Sequence, residues 1–248
     1  MKPERLTLAH VIMAVAVWMV ISTSLVALVV IKAGHPVGRA VILMGLGLVV
    51  IWNIFGGLLM RRFRDPIRVF VRALPGRWQV KFVLFATLLA LIEEAVTTTM
   101  TNMAPVFGVP IGKAYITASA NYLDVVCFHS VIIFIPMFIG WSVLLWRYDF
   151  HPNAVLLLFG LTGTIAEAGY GGPQHLLEFG MWIFVYGLMV YLPAYCVPPE
   201  RGARRPPWWL YPLAVFIPYP FILLLYPFAI LFHYHHPAQH FPPINANS

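Results

Sequence analysis

Five acidic residues, Glu93, Glu94, Asp124, Glu167 and Glu178, fall within or at the ends of long apolar runs, and no Lys or Arg lies inside those runs to neutralise them. A carboxylate at the centre of an apolar span costs on the order of 3 kcal/mol on insertion scales. Intramembrane ionisable groups that bear such a cost mark functional sites by default. Glu93 and Glu94, assisted by His129 and Glu167, suit general acid and base work without a metal. The same four side chains, with His175 as a fifth, also suit a divalent cation such as Zn, Fe or Mn, because carboxylate and imidazole are ligands for hard and borderline metals. A divalent metal is therefore one candidate cofactor. The non-chemical alternative is that the glutamates bond to backbone or Thr hydroxyl groups and glue helices together. Asp124 and Glu178 lie near the ends of their runs, where a helix N-terminus welcomes a carboxylate.

Other polar residues call for plainer expectations. Thr97, Thr98 and Thr99 can bond to their own helix backbone. Cys127 and Cys196 form no CxxC pair and read as small apolar core residues. His233, His235, His236 and His240 stand among prolines and read as a solvated tail.

The elements that must position these groups follow from composition. Of 248 residues, 60% are hydrophobic and 10% charged, where an ordinary soluble domain carries roughly 25% charged residues. Apolar runs near the roughly 20 residues needed to cross a bilayer recur along the chain. The expected fold is all-α, a polytopic transmembrane helix bundle of about seven spans in one integral membrane domain, 1–248. The spans fall at about 9–31, 40–60, 82–103, 122–146, 154–170, 175–197 and 208–232. A basic cytoplasmic loop covers 61–81, an external loop 104–121 and a His/Pro-rich tail 233–248. The first run is too long for the core of a secretory signal and counts as a span. Span four is expected to bend at Pro136, span five to be broken by Gly163 and Gly169, and span seven to be irregular at Pro212, Pro218, Pro220 and Pro227.

The net charge of +7 and a pI near 9.6 do not indicate nucleic acid, because the basic residues concentrate in short segments between apolar runs. With the N-terminus cytoplasmic, 13 of the 16 Lys and Arg residues face the cytoplasm, and only Lys32, Arg39 and Lys113 lie outside. The positive-inside rule thus places the N-terminus inside and the C-terminus outside, in the cell membrane, with the lipid bilayer as partner. Arg61 to Lys81, interleaved with Val69, Phe70 and Leu74, includes a candidate amphipathic helix on the anionic leaflet.

In this orientation Glu93 and Glu94 sit roughly 17 Å above the inner edge, and His129 roughly 10 Å below the outer rim, at 1.5 Å per residue. Glu167 and the His175 and Glu178 pair fall in the same outer half. Ala86, Ala90, Glu93, Thr97 and Thr101 share one face of span three, with Glu94, Thr98 and Asn102 beside it. The lower part of that face permits close helix approach, and the upper part can line a cavity.

Adjacent glutamates in a span, followed about 35 residues later by an intramembrane histidine and a similar distance later by another polar site, resemble the CAAX-prenyl-protease and bacteriocin-processing family of glutamate intramembrane enzymes. In that family paired glutamates activate water, while histidine and asparagine stabilise the oxyanion. By this resemblance Glu93 and Glu94 match the paired glutamates and His129 the first histidine. The chain departs from the pattern at Thr98, where the family has arginine, and at Val125, where it has phenylalanine. Glu167 and Gly171 stand where the family has its later histidine and asparagine. The resemblance implies a membrane-embedded hydrolase of a peptide or lipid substrate. Two other expectations follow from the residues alone: a proton- or cation-coupled transporter, or a non-catalytic subunit of a membrane complex.

Overall fold

The uninterrupted apolar run near the N-terminus forms α1, Leu8–Ala33, in the computed structural model, which describes residues 7–227 and 230. Gly34 ends it in the left-handed conformation at φ 77°, which glycine adopts without Cβ strain. Pro36, whose missing N–H costs nothing in a first turn, then opens α2, Pro36–Ala73. The remaining helices are α3, Trp78–Asn102; α4, Tyr122–His129; α5, Val131–Arg147; α6, Pro152–Gly171; and α7, Phe179–Cys196. A shorter apolar helical run, α8, spans Leu210–Leu225. No strand occurs among the described residues. Four helices, α1, α2, α6 and α7, are long and apolar enough to cross a membrane, and the bent α4–α5 pair makes five if it is one span.

α7 is the axis of the bundle. Nearly all of its length is buried, against α1, α2, α3 and α6. Small residues let its neighbours approach closely: a Cβ at Gly187 would lie 2.5 Å from the Leu156 carbonyl of α6, and one at Gly180 would lie 2.8 Å from the Met19 nitrogen of α1. α1 is the opposite case. It buries only Val15, Met19, Ser22 and Ala27, and exposes Met13, Val17, Val20, Leu25, Leu28 and Val29. Phe55, Leu58, Leu84 and Leu88 extend this apolar outer surface over α2 and α3, where a bilayer would cover it.

Several sequence expectations change. The helix expected within the basic stretch is present but not separate: Arg61, Arg62, Arg64, Arg68 and Arg72 all stand on α2, which runs on to Ala73. The helix continues because a π-helical stretch, Val49–Gly56, resets its face and buries Trp52 and Asn53. The Trp52 indole donates to the Val185 carbonyl at 3.0 Å and the Asn53 amide to the Met181 carbonyl at 3.2 Å. Pro136 lies inside a continuous α5; the bend, 47°, falls at Ser130 between α4 and α5. Gly163 and Gly169 do not break α6. Span seven is irregular as expected: Leu210–Leu225 is a run of mixed helical turns, as its prolines remove successive backbone donors, and the end of the expected span lies outside the described residues. The His-rich tail lies outside the described residues. Cys196 is buried as expected, but Cys127 is exposed.

One end of the bundle is closed by cations. Arg72 donates to the carbonyls of Cys196 at 3.1 Å and Val197 at 2.7 Å, at the end of α7. Lys81 donates to Val71, Arg72 and Leu74 at the end of α2, and Arg201 to Leu145 at 2.8 Å near the end of α5. Each satisfies carbonyls that a helix C-terminus leaves without partners and meets the negative end of its dipole.

At the other end the helices differ in height. The Trp18 indole donates to the Leu177 carbonyl at 3.0 Å, and Asn53 is level with Met181. α1 therefore continues about 20 Å beyond the α6–α7 turn, and α2 begins a similar distance above it. A second apolar cluster, Ala40, Met44, Met100, Ala104, Val109 and Ala114, ties the top of that hairpin to α3 and the 104–121 segment. The space walled by these taller elements above the α6–α7 turn is a cavity of about 1020 Å³.

Candidate functional site

The face of α3 expected from its spacing is the one that packs inward: Ala86 and Ala90 are fully buried, and Glu93, Glu94, Thr97, Thr98 and Thr101 are buried above them. Small residues below bring α3 against its neighbours, so the glutamates enter the bundle and not the surrounding apolar surface. Among the described residues neither glutamate forms an ion pair with Lys or Arg.

Hydroxyl groups take that place. Thr97 Oγ1 donates to Glu94 Oε2 at 3.0 Å, and Thr117 Oγ1, from the 104–121 segment, approaches the same oxygen at 3.5 Å. The Ser130 side chain, at the bend between α4 and α5, also hydrogen-bonds Glu94. The α4–α5 break thus turns a backbone discontinuity into a donor aimed at a carboxyl group. π-helical turns and broken helices recur at functional sites for this reason.

Glu167 of α6 lies within electrostatic range of both Glu93 and Glu94. It accepts a short hydrogen bond from the Tyr186 hydroxyl of α7. Gly163, one turn earlier on α6, makes room for the Tyr186 ring, which would overlap any Cβ at that position. Tyr186 in turn feels the charges of all three glutamates. The cluster therefore consists of Glu93, Glu94 and Glu167, with Thr97, Thr117 and Ser130 around Glu94 and Tyr186 on Glu167.

The cavity stands directly over this cluster. Thr117, Ser130 and Glu167 belong to both, so they connect Glu93 and Glu94 to the open space. His129 and His175 line the cavity as well, but each is engaged with a nearer acid. His129 Nε2 lies 3.7 Å from Asp124 Oδ2, with both side chains nearly buried. His175 Nδ1 lies 3.8 Å from Glu178 Oε2, and its ring meets Trp182 edge-on at 5.3 Å. His175 sits on a single 3-10 turn, Pro173–Leu176, and Glu178 just before α7, rather than on the helix itself. Burial lowers the His175 pKa and raises that of Glu178, since both lose water around their charged forms.

Of the expected site residues, Glu93, Glu94 and Glu167 are gathered, and His129 and His175 border the same cavity from the side. The expected metal set is not formed: among the described residues no three His, Cys, Asp or Glu side chains are placed to hold an ion, so Glu93, Glu94, His129, Glu167 and His175 do not converge as ligands. Asp124, expected near the end of its run, is buried beside His129. Sequence reasoning missed Tyr186, Ser130 and Thr117. The available signals were a small residue one turn before Glu167, which asks for a large partner, and a serine next to an intramembrane histidine.

The fold and site together define an all-α bundle with four to five membrane-length apolar helices and a buried carboxyl cluster under a cavity. No protein-family model, curated protein or solved structure matches the chain.

Proposed function

We propose that the chain is a seven-span cell-membrane protein, N-terminus cytoplasmic and C-terminus external, whose carboxyl cluster is the acid–base centre of a membrane-embedded hydrolase. The observation that carries this reading is the approach of Glu93 and Glu94 on α3 to Glu167 on α6, with hydroxyls donating to Glu94 and to Glu167 beneath a cavity and without a compensating Lys or Arg among the described residues. The distribution of 13 of 16 basic residues supports the orientation. α3, at 25 residues, and α8 complete the spans.

In the proposed reaction Glu94, to which Thr97, Thr117 and Ser130 donate, removes a proton from a water molecule, whose oxygen attacks a carbonyl carbon. His129, at the cavity wall, donates to the developing oxyanion, the role it would carry in the glutamate intramembrane family it resembles. The Tyr186 and Glu167 pair supplies a proton to the departing amine or alkoxide, and the proton held by Glu94 restores that pair. The products are a carboxylic acid and the released amine or alcohol.

The test is hydrolysis in ¹⁸O-water by the full chain reconstituted with long-chain esters, amides and lipopeptides. Label is expected in the product carboxylate, falling by about a hundredfold or more in Glu94→Gln, the scale of a lost general base. Uptake equal in the wild type and in a folded Glu93→Gln, Glu94→Gln double variant would remove the proposal. A second reading, a proton-coupled transporter, is favoured by the discontinuous α4–α5 pair and the 3-10 turn at the level of the acids. Proton flux lost in Glu94→Gln without any label uptake would select it.

A further inference from the structure

The cavity has two unlike walls. α2 supplies Val41, Ile42, Gly45, Leu46 and Leu48, all without a polar side-chain atom. The α6–α7 turn and its flanks supply Glu167, Tyr170, His175, Glu178 and Trp182. No Lys or Arg stands among the described lining residues.

This division discriminates between ligands by charge. A phosphate, sulfate or carboxylate head would give up its water in a site that presents two carboxyl groups and no cation, so both desolvation and repulsion oppose it. An ammonium head meets the reverse conditions. Glu167 and Glu178 offer carboxyl oxygens that a bound cation would draw into the charged form, and the rings of Tyr170 and Trp182 border the same space, where aromatic π-systems attract a desolvated cation. The α2 wall has nothing to offer a polar group but suits a hydrocarbon chain. At about 1020 Å³ the cavity is at the upper end of ligand-site sizes, with space for head and chain together.

We propose that the cavity binds a single-chain amphiphile with an ammonium head, the head between the α6–α7 turn acids and aromatic rings and the chain along the Val41 to Leu48 wall. That this ligand is also the substrate rests on the hydrolase reading above. Binding can be measured without it. Gly45 gives a way to fill the space, because a Cβ there meets nothing within 4 Å.

The experiment uses the full chain in nanodiscs of zwitterionic lipid and tritiated hexadecyltrimethylammonium, with hexadecyl phosphate and hexadecanol as competitors of equal chain length. Saturable binding of one molecule per chain is expected, with both competitors weaker by about tenfold or more, the scale of a desolvated cation–π and charge contact. Gly45→Trp should abolish saturable binding and Gly45→Leu weaken it, with unfolding temperatures unchanged. Equal binding of the phosphate or the alcohol overturns the proposal, and that comparison needs only the unaltered chain should Gly45→Trp not fold. Undiminished binding in a folded Gly45→Trp overturns it as well. Palmitoylcholine in ¹⁸O-water separates the two readings: ammonium-selective binding without label uptake sustains the ligand and removes the hydrolase, whereas label uptake from other esters without such binding does the opposite.

Discussion

The two ends of this bundle handle charge in opposite ways. At one end Arg72, Lys81 and Arg201 each donate to backbone carbonyls at or near the termini of α7, α2 and α5. Toward the other end Glu94 and Glu167 accept from hydroxyl groups, with Glu93 next to Glu94 and a cavity above. A cation bound to carbonyls completes a fold, since its donors are matched to acceptors that cannot change protonation. A carboxyl group beside hydroxyls can gain or lose a proton while its neighbours reorient. On the proposed function the basic end is structural and the acidic end chemical, and substitutions should separate the two.

The largest separation is expected at Glu94. Glu94→Gln keeps the shape and the acceptor oxygen but cannot take a proton, so turnover should fall by about a hundredfold or more while the unfolding temperature holds or rises. Label uptake and thermal unfolding on the same sample give both numbers. A loss of stability that matched the loss of turnover would place Glu94 with the structural residues and erase the contrast.

Gly163→Ala follows. Its Cβ would displace the Tyr186 ring from α6 and remove the hydrogen bond to Glu167. Overpacking of this kind costs about 1–3 kcal/mol. Turnover should fall as well, because the proton donor of the proposed reaction moves. Tyr186→Phe keeps the ring and removes only the hydroxyl, so it should lower turnover with less loss of stability.

Arg201→Ala is the counterpart at the basic end. The side chain is nearly buried and donates to Leu145 at 2.8 Å, to Pro198 at 2.8 Å and to Asp149 at 2.7 Å. Losing charge-assisted bonds of this type costs about 2 kcal/mol. Thermal unfolding should register that loss, and turnover per folded molecule should not change. A fall in turnover at constant stability would show that the two ends are coupled through α5.

The sequence made some of this legible and hid the rest for identifiable reasons. The α3 face was readable because helical spacing alone puts Ala86, Ala90, Glu93, Thr97 and Thr101 in one line, and all five are buried. Helix positions were readable from apolar length, to within a few residues for α1, α3, α6 and α7. The bend at Ser130 was not readable, because Pro136, the residue that suggests a kink, sits in α5 without ending it. The continuation of α2 through its arginines was hidden by their charge, although Arg64 and Arg68 lie over the Tyr195 ring and Arg68 pairs with Asp65 at 3.0 Å. Tyr186 was invisible as a site residue because an aromatic on an apolar helix reads as core. Only its partner on another helix gives it a role.

The smallest effect concerns the α6–α7 turn, where the acidic end meets the cavity. His175 and Glu178 are both held toward their neutral forms by burial, from ordinary values of 6.5 and 4.5. For His175 the folded value is the lower, so the unfolded chain takes up the proton first as pH falls through about 6.5, and stability falls with it. For Glu178 the folded value is the higher, so the unfolded chain releases the proton first as pH rises above about 4.5, and stability falls in that direction. In the wild type the two slopes oppose each other between these values. Relative to the wild type, Glu178→Gln should add to the fall of unfolding temperature on acidification from pH 7 to 5. Relative to the wild type, His175→Gln should change the slope in the reverse direction over the same interval. Profiles identical to the wild type in both variants would mean that water reaches the turn freely, and the turn would then lack the dry surroundings that distinguish it from the cation-capped end.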